Sequence, residues 1–297
     1  MRVPSWITHH WAALRALVVL TVILGAGYPL VIFGIGQLPG LKDKADGSIV
    51  TMNGKPVGSS LIGQAFVDDK GNPLPQYFQT RPSAAGDGYD PTSTSASNLG
   101  PENIVDTLPD PANPDDTGTQ SLLTKVCSQS LAVGKLEGVD GSRPFCTPDG
   151  VGAVLVVVRE GGTENGRITA VYSVNQACPA TPFITTYQGV AVRCAQPGTD
   201  YTKLGFTTAI RGDAPAVPAV PSDAVTSSAS GLDPDISPAY ARLQAPRVAR
   251  ERGIDVATVD KLIDTYTDSR ALGFMGEPAV NVLEMNMALD KQHPFSG

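Results

Sequence analysis

The sequence predicts an α+β protein in which one N-terminal transmembrane helix precedes a mixed extracytoplasmic domain with a β-rich, disulfide-bonded insert. Three observations support this prediction: a long uncharged segment near the N-terminus, four closely spaced cysteines in the centre, and helical periodicity near the C-terminus. With 41% hydrophobic residues the 297-residue chain can bury a substantial core, whereas its 31 glycines and 25 prolines indicate long loops.

The first element is an apolar helix, which we place at residues 16–37. Between Arg15 and Lys42 lie 26 residues without a charged side chain. At a rise of about 1.5 Å per residue, such a helix crosses a hydrocarbon layer of about 30 Å. A cleaved signal peptide with Arg2 and Arg15 in its basic region is the alternative. We favour a retained anchor, because the apolar run continues to Gly36, whereas signal-peptide cores end after about 7–15 residues.

Several residues of this helix are predicted to pack against a partner helix. Pro29 removes a backbone donor, an irregularity that a neighbouring helix can accommodate. Small residues also let another helix approach closely, although glycine is common in membrane helices for reasons of composition alone. The predicted packing residues are Gly25, Tyr28, Pro29, Gly36 and Gln37.

Charges next to the helix leave its orientation open, since Arg2 and Arg15 before it are matched by Lys42 and Lys44 after it. All four cysteines lie beyond the helix, as expected for disulfides in an oxidising compartment. We therefore expect a single-pass protein of the cell membrane with residues 1–15 in the cytoplasm. Beyond the helix the chain has 20 Lys and Arg against 29 Asp and Glu, which argues against a nucleic-acid partner.

After the helix, the sequence predicts short strands and turns. Ser48–Val50 and Val57–Phe66 are predicted strands. Asn53 and Gly54 lie between them, and this dipeptide is typical of the two-residue turn of a β-hairpin. We therefore expect a hairpin close to the membrane segment.

A near repeat brackets the centre of the chain. Ser95–Leu99 is echoed by Ser228–Leu232, and we expect the two polar turns to lie side by side. Between them, proline-rich stretches resemble linkers and delimit a predicted insert at residues 108–221. Residues 38–107 and 222–297 are predicted to form the rest of the extracytoplasmic domain.

The insert is predicted to be a small β structure held by disulfides. Its predicted strands are rich in β-branched residues: Val151–Arg159, Arg167–Val174 and Phe183–Arg193. The four cysteines can pair in three ways, and the spacing slightly favours Cys127 with Cys146 and Cys178 with Cys194. Because no C-x-x-C pair occurs, a zinc site is poorly supported.

The C-terminal third is predicted to be helical. Ser237 and Pro238 form a typical N-cap and first-position pair. We expect Pro246 to kink or restart this helix and Gly253 to end it. A second helix is indicated by an apolar stripe at i, i+3, i+4 and i+7: Val259, Leu262, Ile263 and Tyr266. The apolar stretch Val280–Asp290 does not distinguish a helix from a strand.

Known catalytic signatures are absent from the sequence. His9 and His10 precede the apolar helix, which leaves His293 as the one imidazole beyond it, so a Ser-His-Asp hydrolase or His-rich metal centre is poorly supported. No nucleotide-binding fingerprint occurs. Paired carboxylates among the 29 acids still leave room for an anchored hydrolase. We predict no catalytic residue, no metal ligand and no cofactor bound by this chain alone.

Short motifs spread over most of the chain occur in the order of a known family. They are Tyr28–Leu30, Gly36–Gln37, Gly47–Ile49, Val57–Gln64, Tyr77–Ala84, Tyr89–Pro91, Ser97–Leu99, Ser228–Pro238, Gln244–Ala249, Gly276–Leu283 and Asn286–Asp290. By these motifs the chain resembles KdpC, the C subunit of the Kdp potassium-transporting P-type ATPase. The stretch from about Leu108 to Pro221 is longer than in shorter family members, and the resemblance implies nothing about it.

The resemblance implies a non-catalytic accessory subunit of a complex that imports potassium at the expense of ATP. Such a subunit acts as a catalytic chaperone that raises the ATP affinity of the hydrolysing subunit, while ATP and K⁺ are handled by the complex. The implied partners are a channel-like potassium-binding subunit, the P-type ATPase subunit and a very small membrane peptide. Interface or structural roles are implied for Arg81, Ser83, Asn98, Gln244, Arg247 and Asn281. An unrelated membrane-anchored binding module is the alternative.

Overall fold

The computed structural model describes residues 4–295 of the chain, which form two compact units. The first unit ends at Leu61 and the second begins at Ile62. The membrane-length helix lies in the first unit, whereas both disulfides and the main hydrophobic core lie in the second.

The first unit begins with an apolar helical run over Ser5–Gly36. It comprises α1 (Ser5–Val22), a π-helical turn (Ile23–Gly27) and α2 (Tyr28–Gly36), and none of these residues is buried. The helix starts well before the span predicted at 16–37. Its 32 residues extend over about 48 Å, which is more than the roughly 30 Å of a hydrocarbon layer. Helical backbone therefore continues beyond the predicted membrane segment on its N-terminal side.

Pro29 accounts for the π-helical turn. Proline has no N–H to donate to the carbonyl four residues before it, that of Gly25. Immediately before the proline, the Tyr28 N–H donates to the carbonyl of Ile23, five residues back. This wider turn accommodates the proline, so the helix continues through it.

A β-hairpin closes the first unit. Its remaining elements are α3 (Lys42–Ala45), β1 (Ile49–Met52) and β2 (Lys55–Ser59). Asn53 (φ 51°) and Gly54 (φ 75°) have the positive φ that a two-residue type I′ turn requires, so the predicted hairpin is confirmed. The second strand ends at Ser59 and not at Phe66, because the Ser59 hydroxyl bonds the Gly47 carbonyl (2.7 Å) and accepts from the Leu61 N–H (3.1 Å).

The second unit contains a helical layer. Its helices are α4 (Leu122–Glu137), α5 (Pro238–Arg252), α6 (Val256–Thr265) and α7 (Val282–Gln292). Ser237 caps α5 and Gly253 ends it with φ 64°, as predicted. Pro246, however, lies inside an unbroken α5, so the predicted restart is wrong. Because Pro246 has no N–H, the carbonyl of Arg242, four residues earlier, loses its helical donor. Both residues lie on the exposed face of α5, where water can donate to this carbonyl instead.

The predicted stripe of α6 is buried in the main core through Val259, Leu262 and Ile263. The ambiguous stretch 280–290 is mostly helix α7, preceded by a short strand. Three such strands form a small antiparallel sheet in the order β8-β10-β9: β8 (Asp235–Ile236), β9 (Thr267–Asp268) and β10 (Ala279–Asn281). The core of the second unit therefore lies between α5, α6, α7 and this sheet.

The central segment contains a five-stranded sheet in the order β5-β6-β4-β3-β7. The strands are β3 (Val154–Arg159), β4 (Ile168–Ala177), β5 (Thr186–Tyr187), β6 (Val190–Ala195) and β7 (Phe206–Ala209). The first two predicted strands are confirmed within a few residues. The predicted third strand is instead the hairpin β5-β6, because Gln188 and Gly189, both with positive φ, turn the chain at its middle. Only the β4-β6 pair is parallel among these strands.

Helix α4 was not predicted, since the sequence indicated β structure for this region. Ser121 caps its first turn by accepting from the Thr124 N–H (3.2 Å), and Gly138 (φ 72°) ends it. Val133 of α4 lies in the main core together with Val220. Within the proline-rich edge before Pro221, Val220 is buried in the main core whereas Val217 is 85% exposed, and the predicted bounds of the insert stay a prediction.

Two further sequence predictions are confirmed. The Ser95 N–H donates to the Ser230 carbonyl (3.1 Å), so the two repeated turns lie side by side. Both turns use a left-handed residue at the same position, Asn98 (φ 50°) and Gly231 (φ 72°). The cysteines form the favoured pairs Cys127–Cys146 and Cys178–Cys194.

Candidate functional site

The five residues predicted to pack against a partner helix lie together at the C-terminal half of the apolar helix. A side chain at Gly36 would place its Cβ 3.2 Å from that of Ala45, so contact between α2 and α3 already requires a small residue there. The backbone N–H of Gln37 ends α2 by donating to the Gly34 carbonyl (3.3 Å). Gly25 and Tyr28 are exposed, and their packing role stays a prediction.

Two of the predicted residues, Gln244 and Arg247, hold one stretch of chain, Pro75–Gln79, which we call the clamped segment. It begins in a turn, where the Tyr77 N–H donates to the Leu74 carbonyl (3.2 Å). The side-chain amide of Gln244 accepts from the Gln79 N–H (2.7 Å) and donates to the Gln79 carbonyl (3.0 Å). Asn286 makes the same pair of bonds to Phe78, at 2.9 and 3.0 Å. Two buried amides thus replace the bonds that a neighbouring strand would make, and Phe78 is fully buried between them.

Arg247 joins the clamped segment to α4. It is 2% exposed, and its Nε lies 3.0 and 3.1 Å from the two carboxylate oxygens of Glu137. Its Nη1 donates to the carbonyls of Tyr77 (2.9 Å) and Pro75, and its Nη2 donates to Gln244 Oε1 (2.9 Å). The guanidinium therefore satisfies several acceptors that lie inside the protein.

Burial raises the pKa of the Glu137 carboxyl, while the charge and hydrogen bonds of Arg247 act in the opposite direction. Sequence reasoning missed Glu137, because it lies on the unpredicted helix α4. Ser121 and Gly138, a capping residue and a helix-ending glycine, are the signal that would have identified this helix.

Arg252 holds the same end of the clamped segment as Arg247 and was also missed. Its Nε donates to the Gln76 carbonyl (2.8 Å) and its Nη2 pairs with Asp290 (2.8 Å). The Tyr77 hydroxyl donates to the same carboxylate (3.0 Å), and the guanidinium lies 5.1 Å from the Tyr77 ring centre. Burial, followed by the bond to Asp290, raises the pKa of Tyr77.

Arg81 and Ser83 fasten a second loop. The Nη1 of Arg81 pairs with Asp233 (2.8 Å), and the Ser83 hydroxyl donates to the Gly231 carbonyl (2.7 Å). Tyr89 donates its hydroxyl to the Arg81 carbonyl (2.7 Å), and burial raises the pKa of Tyr89 to about 12. These contacts tie the loop at 81–89 to the turn at 231–233.

The two remaining predicted residues, Asn281 and Asn98, have different structural roles. Asn281 caps α7 by accepting from the Glu284 N–H (3.1 Å). Asn98 is exposed, and its positive φ is a conformation that asparagine tolerates better than most residues. The structure therefore gives internal contacts to Arg81, Ser83, Gln244, Arg247 and Asn281, whereas their interface role stays a prediction.

An open groove of about 840 Å³ lies between the 80–89 loop and α4. Its walls include Thr80, Arg81 and Tyr89 on one side and Gln129 and Lys135 on the other. Among residues 4–295, no three His, Cys, Asp or Glu side chains converge in a way that would hold a metal ion. The absence of a bound cofactor stays a prediction.

These features define a class of protein. One helix within the described part of the chain is long and apolar enough to cross a membrane. The polar motif residues of the second unit mostly bond their own chain. The fold and site are therefore those of an α+β protein with one helix of membrane length and with motif residues that mostly bond within the chain.

Comparison with known proteins gives the family. Residues 10–107 and 202–291 match the family model KdpC, described as "K+-transporting ATPase, c chain". The potassium-transporting ATPase KdpC subunit of Mycobacterium tuberculosis is 35% identical over 279 residues, covering 94% of this chain and 96% of that protein. The same-named subunits of Kineococcus radiotolerans (35% over 281 residues, 95% and 92%) and Caulobacter vibrioides (32% over 289 residues, 97% and 95%) are also similar. The chain belongs to the KdpC family.

The two kinds of comparison treat the centre of the chain differently. The family model leaves residues 108–201 unmatched. The alignment with the mycobacterial subunit, by contrast, covers 94% of the chain and therefore takes in most of that segment. The resemblance read from the motifs is confirmed, and these relatives are long enough to have a counterpart of the central segment.

Proposed function

We propose that this chain is a non-catalytic accessory subunit of an ATP-driven potassium-import complex. The observation that carries this proposal is the near full-length similarity to subunits named as parts of a potassium-transporting ATPase. The apolar helix supports it, because none of its residues is buried and such an apolar surface requires lipid or other helices around it.

The proposed topology has the N-terminus in the cytoplasm and the second unit outside. Two disulfides support this orientation, because disulfides persist in oxidising compartments. The proposed partners are a channel-like potassium-binding subunit, a P-type subunit that hydrolyses ATP and a very small membrane peptide. A domain outside the cell has no direct access to cytoplasmic ATP. An effect on the ATP affinity of the hydrolysing subunit would therefore pass through the membrane helix.

Gly34 gives this proposal a test in the membrane helix. A Cβ added there meets no atom of the chain within 4 Å, so Gly34→Leu leaves the fold of this chain intact. The tagged full-length chain would be co-expressed with the ATPase subunits and purified from membranes in mild detergent. We expect the wild type to recover a potassium-stimulated ATPase and Gly34→Leu to recover less of it.

Leu30→Ala, a truncation of an exposed side chain on the same helix, is the matched control, and we expect it to recover the ATPase. The Michaelis constant for ATP, measured with and without the chain, tests the catalytic-chaperone role. Recovery of the wild-type chain alone, without ATPase activity, would contradict the proposal and favour an anchored binding module. An unchanged Michaelis constant would contradict only the chaperone role.

A further inference from the structure

The helix of membrane length extends beyond the uncharged segment on its N-terminal side. Charged side chains are absent between Arg15 and Lys42, whereas the helix already begins at Ser5. Trp11 precedes Arg15 by one turn, which is about 6 Å along the axis, and the headgroup layer on each side of a bilayer is about 5–8 Å thick. When Arg15 lies at the edge of the hydrocarbon layer, Trp11 therefore lies at the level of the lipid headgroups.

Trp11 and Arg15 lie on the same side of the helix, because they are spaced at i and i+4. We call them the headgroup pair. Both are exposed, Trp11 by 58%. Trp6 precedes Trp11 by five residues, which places it about 140° away around the helix axis. The two tryptophans of the chain therefore project from different sides of one helix.

The polar groups of the headgroup pair are available to a ligand. Neither the Arg15 guanidinium nor the Trp11 indole N–H has a hydrogen-bond or ion-pair partner within residues 4–295, whereas the nearby Thr8 hydroxyl bonds the Pro4 carbonyl (3.5 Å). A guanidinium can donate two parallel hydrogen bonds to a phosphate, and an indole N–H donates to an oxygen. The pair offers donors and no acceptor, which suits a phosphate group.

The charge at this end of the chain favours an anionic ligand. No aspartate or glutamate precedes Asp43, whereas Arg2 and Arg15 are basic. In the proposed topology this end is cytoplasmic, and anionic phospholipids give the cytoplasmic leaflet its negative surface potential. Lipid is also the molecule that lies next to the pair, because the same helix continues into the bilayer.

We infer that Trp11 and Arg15 bind the phosphate of an anionic phospholipid in the cytoplasmic leaflet. The Arg15 guanidinium supplies the charge and the paired donors, while the Trp11 ring lies between headgroups and acyl chains and donates its indole N–H to a lipid oxygen. This inference rests on the proposed function, because the proposed orientation brings the pair to that leaflet. It adds a lipid site to a helix whose other predicted contacts are with protein.

The test uses tryptophan fluorescence, because Trp6 and Trp11 are the two tryptophans of the chain. Trp6→Phe leaves Trp11 as the reporter, and Trp11→Phe leaves Trp6 as the matched control. Each full-length protein would be reconstituted into vesicles of equal parts phosphatidylcholine and phosphatidylglycerol, with the acyl chains of one of the two lipids brominated. Bromine quenches a neighbouring indole, so the ratio of quenching by the two lipids measures which lipid lies beside it.

We expect brominated phosphatidylglycerol to quench Trp11 at least about twofold more than brominated phosphatidylcholine, because one basic residue favours an anionic surface by about fivefold. Trp6 should show a smaller preference. Arg15→Gln should abolish the preference at Trp11, whereas Arg15→Lys, which keeps the charge, should retain most of it. Lys44→Gln removes one exposed charge beyond the other end of the helix and should leave the preference unchanged.

Equal quenching of Trp11 by the two lipids would overturn the inference. An equal preference at Trp6 and Trp11 would also overturn it, as would equal losses from Arg15→Gln and Lys44→Gln. Either of these results would indicate a general attraction to the membrane surface and not a site at the headgroup pair.

The proposed orientation fails in a different measurement. The four cysteines are paired as disulfides, so Ser5→Cys adds the one thiol of the described chain. A membrane-impermeant maleimide should label this variant in inverted vesicles and not in intact cells. Labelling in intact cells would contradict the proposed orientation. The lipid preference does not depend on that result, because it is measured in vesicles whose two leaflets are identical.

Discussion

The clamped segment Pro75–Gln79 and the apolar loop Ala271–Met275, which lies between β9 and β10, reverse the usual distribution of side chains. The first is held by buried polar groups, including Gln244, Arg247 and Asn286, and the second exposes leucine, phenylalanine and methionine. Polar residues in family motifs commonly suggest a surface role, but here they replace the hydrogen bonds of a missing strand. Position in the fold, and not polarity, therefore shows which of these residues hold the structure together.

The largest expected effect is a loss of stability when the contacts to the clamped segment are removed. Arg247→Ala leaves the carboxylate of Glu137 buried without its partner and removes the donors to Pro75 and Tyr77. Removing one partner of a buried ion pair costs about 3–5 kcal/mol, a large part of the stability of a typical domain. Urea unfolding of the full chain in detergent, followed by near-ultraviolet circular dichroism, measures this loss.

Arg247→Met combined with Glu137→Leu is the matched control, because it removes both charges together. We expect the double variant to regain the part of the loss that comes from the unpaired Glu137 charge, but not the part that comes from the carbonyls of Pro75 and Tyr77. A loss below about 1 kcal/mol for Arg247→Ala would show that the pair is not structural, since that is the range of exposed pairs.

Asn286→Ala should have the next largest effect. It leaves both the N–H and the carbonyl of Phe78 buried without partners, and each such group costs about 1–3 kcal/mol. We expect the free energy of unfolding to fall by roughly 2–4 kcal/mol. Gln292→Ala, an exposed position on the same helix, should change it by less than about 0.5 kcal/mol. Equal effects at the two positions would contradict the role of the buried amide.

Leu272→Asn is expected to change the free energy of unfolding in the opposite direction from a substitution in the core. Leu272 has φ 53° and the following Gly273 has φ 80°, as in a type I′ turn. Asparagine fits this turn conformation, so we expect the free energy of unfolding to rise by about 1 kcal/mol. Leu289→Ala, at a fully buried leucine of α7, should instead lower it by about 2–5 kcal/mol. The same unfolding assay measures both variants. A destabilised Leu272→Asn would mean that the loop supports the fold.

The smallest expected effect concerns Asp235, on the strand β8 next to the hairpin that ends in the loop. Burial raises its pKa, and the charges of Asp233 and Asp268 add to the shift. A carboxyl whose pKa is raised by folding is costly when ionised, so its contribution to stability is most favourable below about pH 3.9 and is lost as pH rises through the folded pKa.

Asp235→Asn should therefore be more stable than the wild type at pH 7, by less than about 1 kcal/mol. The difference should shrink on acidification and vanish once Asp235 is protonated in both states. Urea midpoints of the two proteins at several pH values test this expectation. A difference that grows as the pH falls would contradict it.

The sequence allowed prediction of features that depend on neighbouring residues. The Asn53-Gly54 hairpin, the Ser237 cap and the Gly253 stop all follow from local backbone preferences. The disulfide pairs also followed correctly from spacing. The restart expected at Pro246 was wrong, because the tolerance of a proline depends on which face of α5 is exposed, and exposure is a property of the packed fold.

The candidate site was harder to predict because its contacts join distant parts of the chain. Glu137 and Arg247 are separated by 110 residues, and Phe78 and Asn286 by 208. No local pattern encodes such pairs, and the helix that carries Glu137 was itself missed. The motifs identified Arg81, Gln244 and Arg247, but only the structure showed that they bond within the chain.

The π-helical turn at Ile23–Gly27 has a consequence for the anchor as a whole. An extra residue in one turn rotates all the following side chains about the helix axis by about 100° relative to a regular α-helix. The stripe of side chains before Ile23 therefore points in a different direction from the stripe after Gly27. The two parts of this helix therefore present differently directed faces to their surroundings.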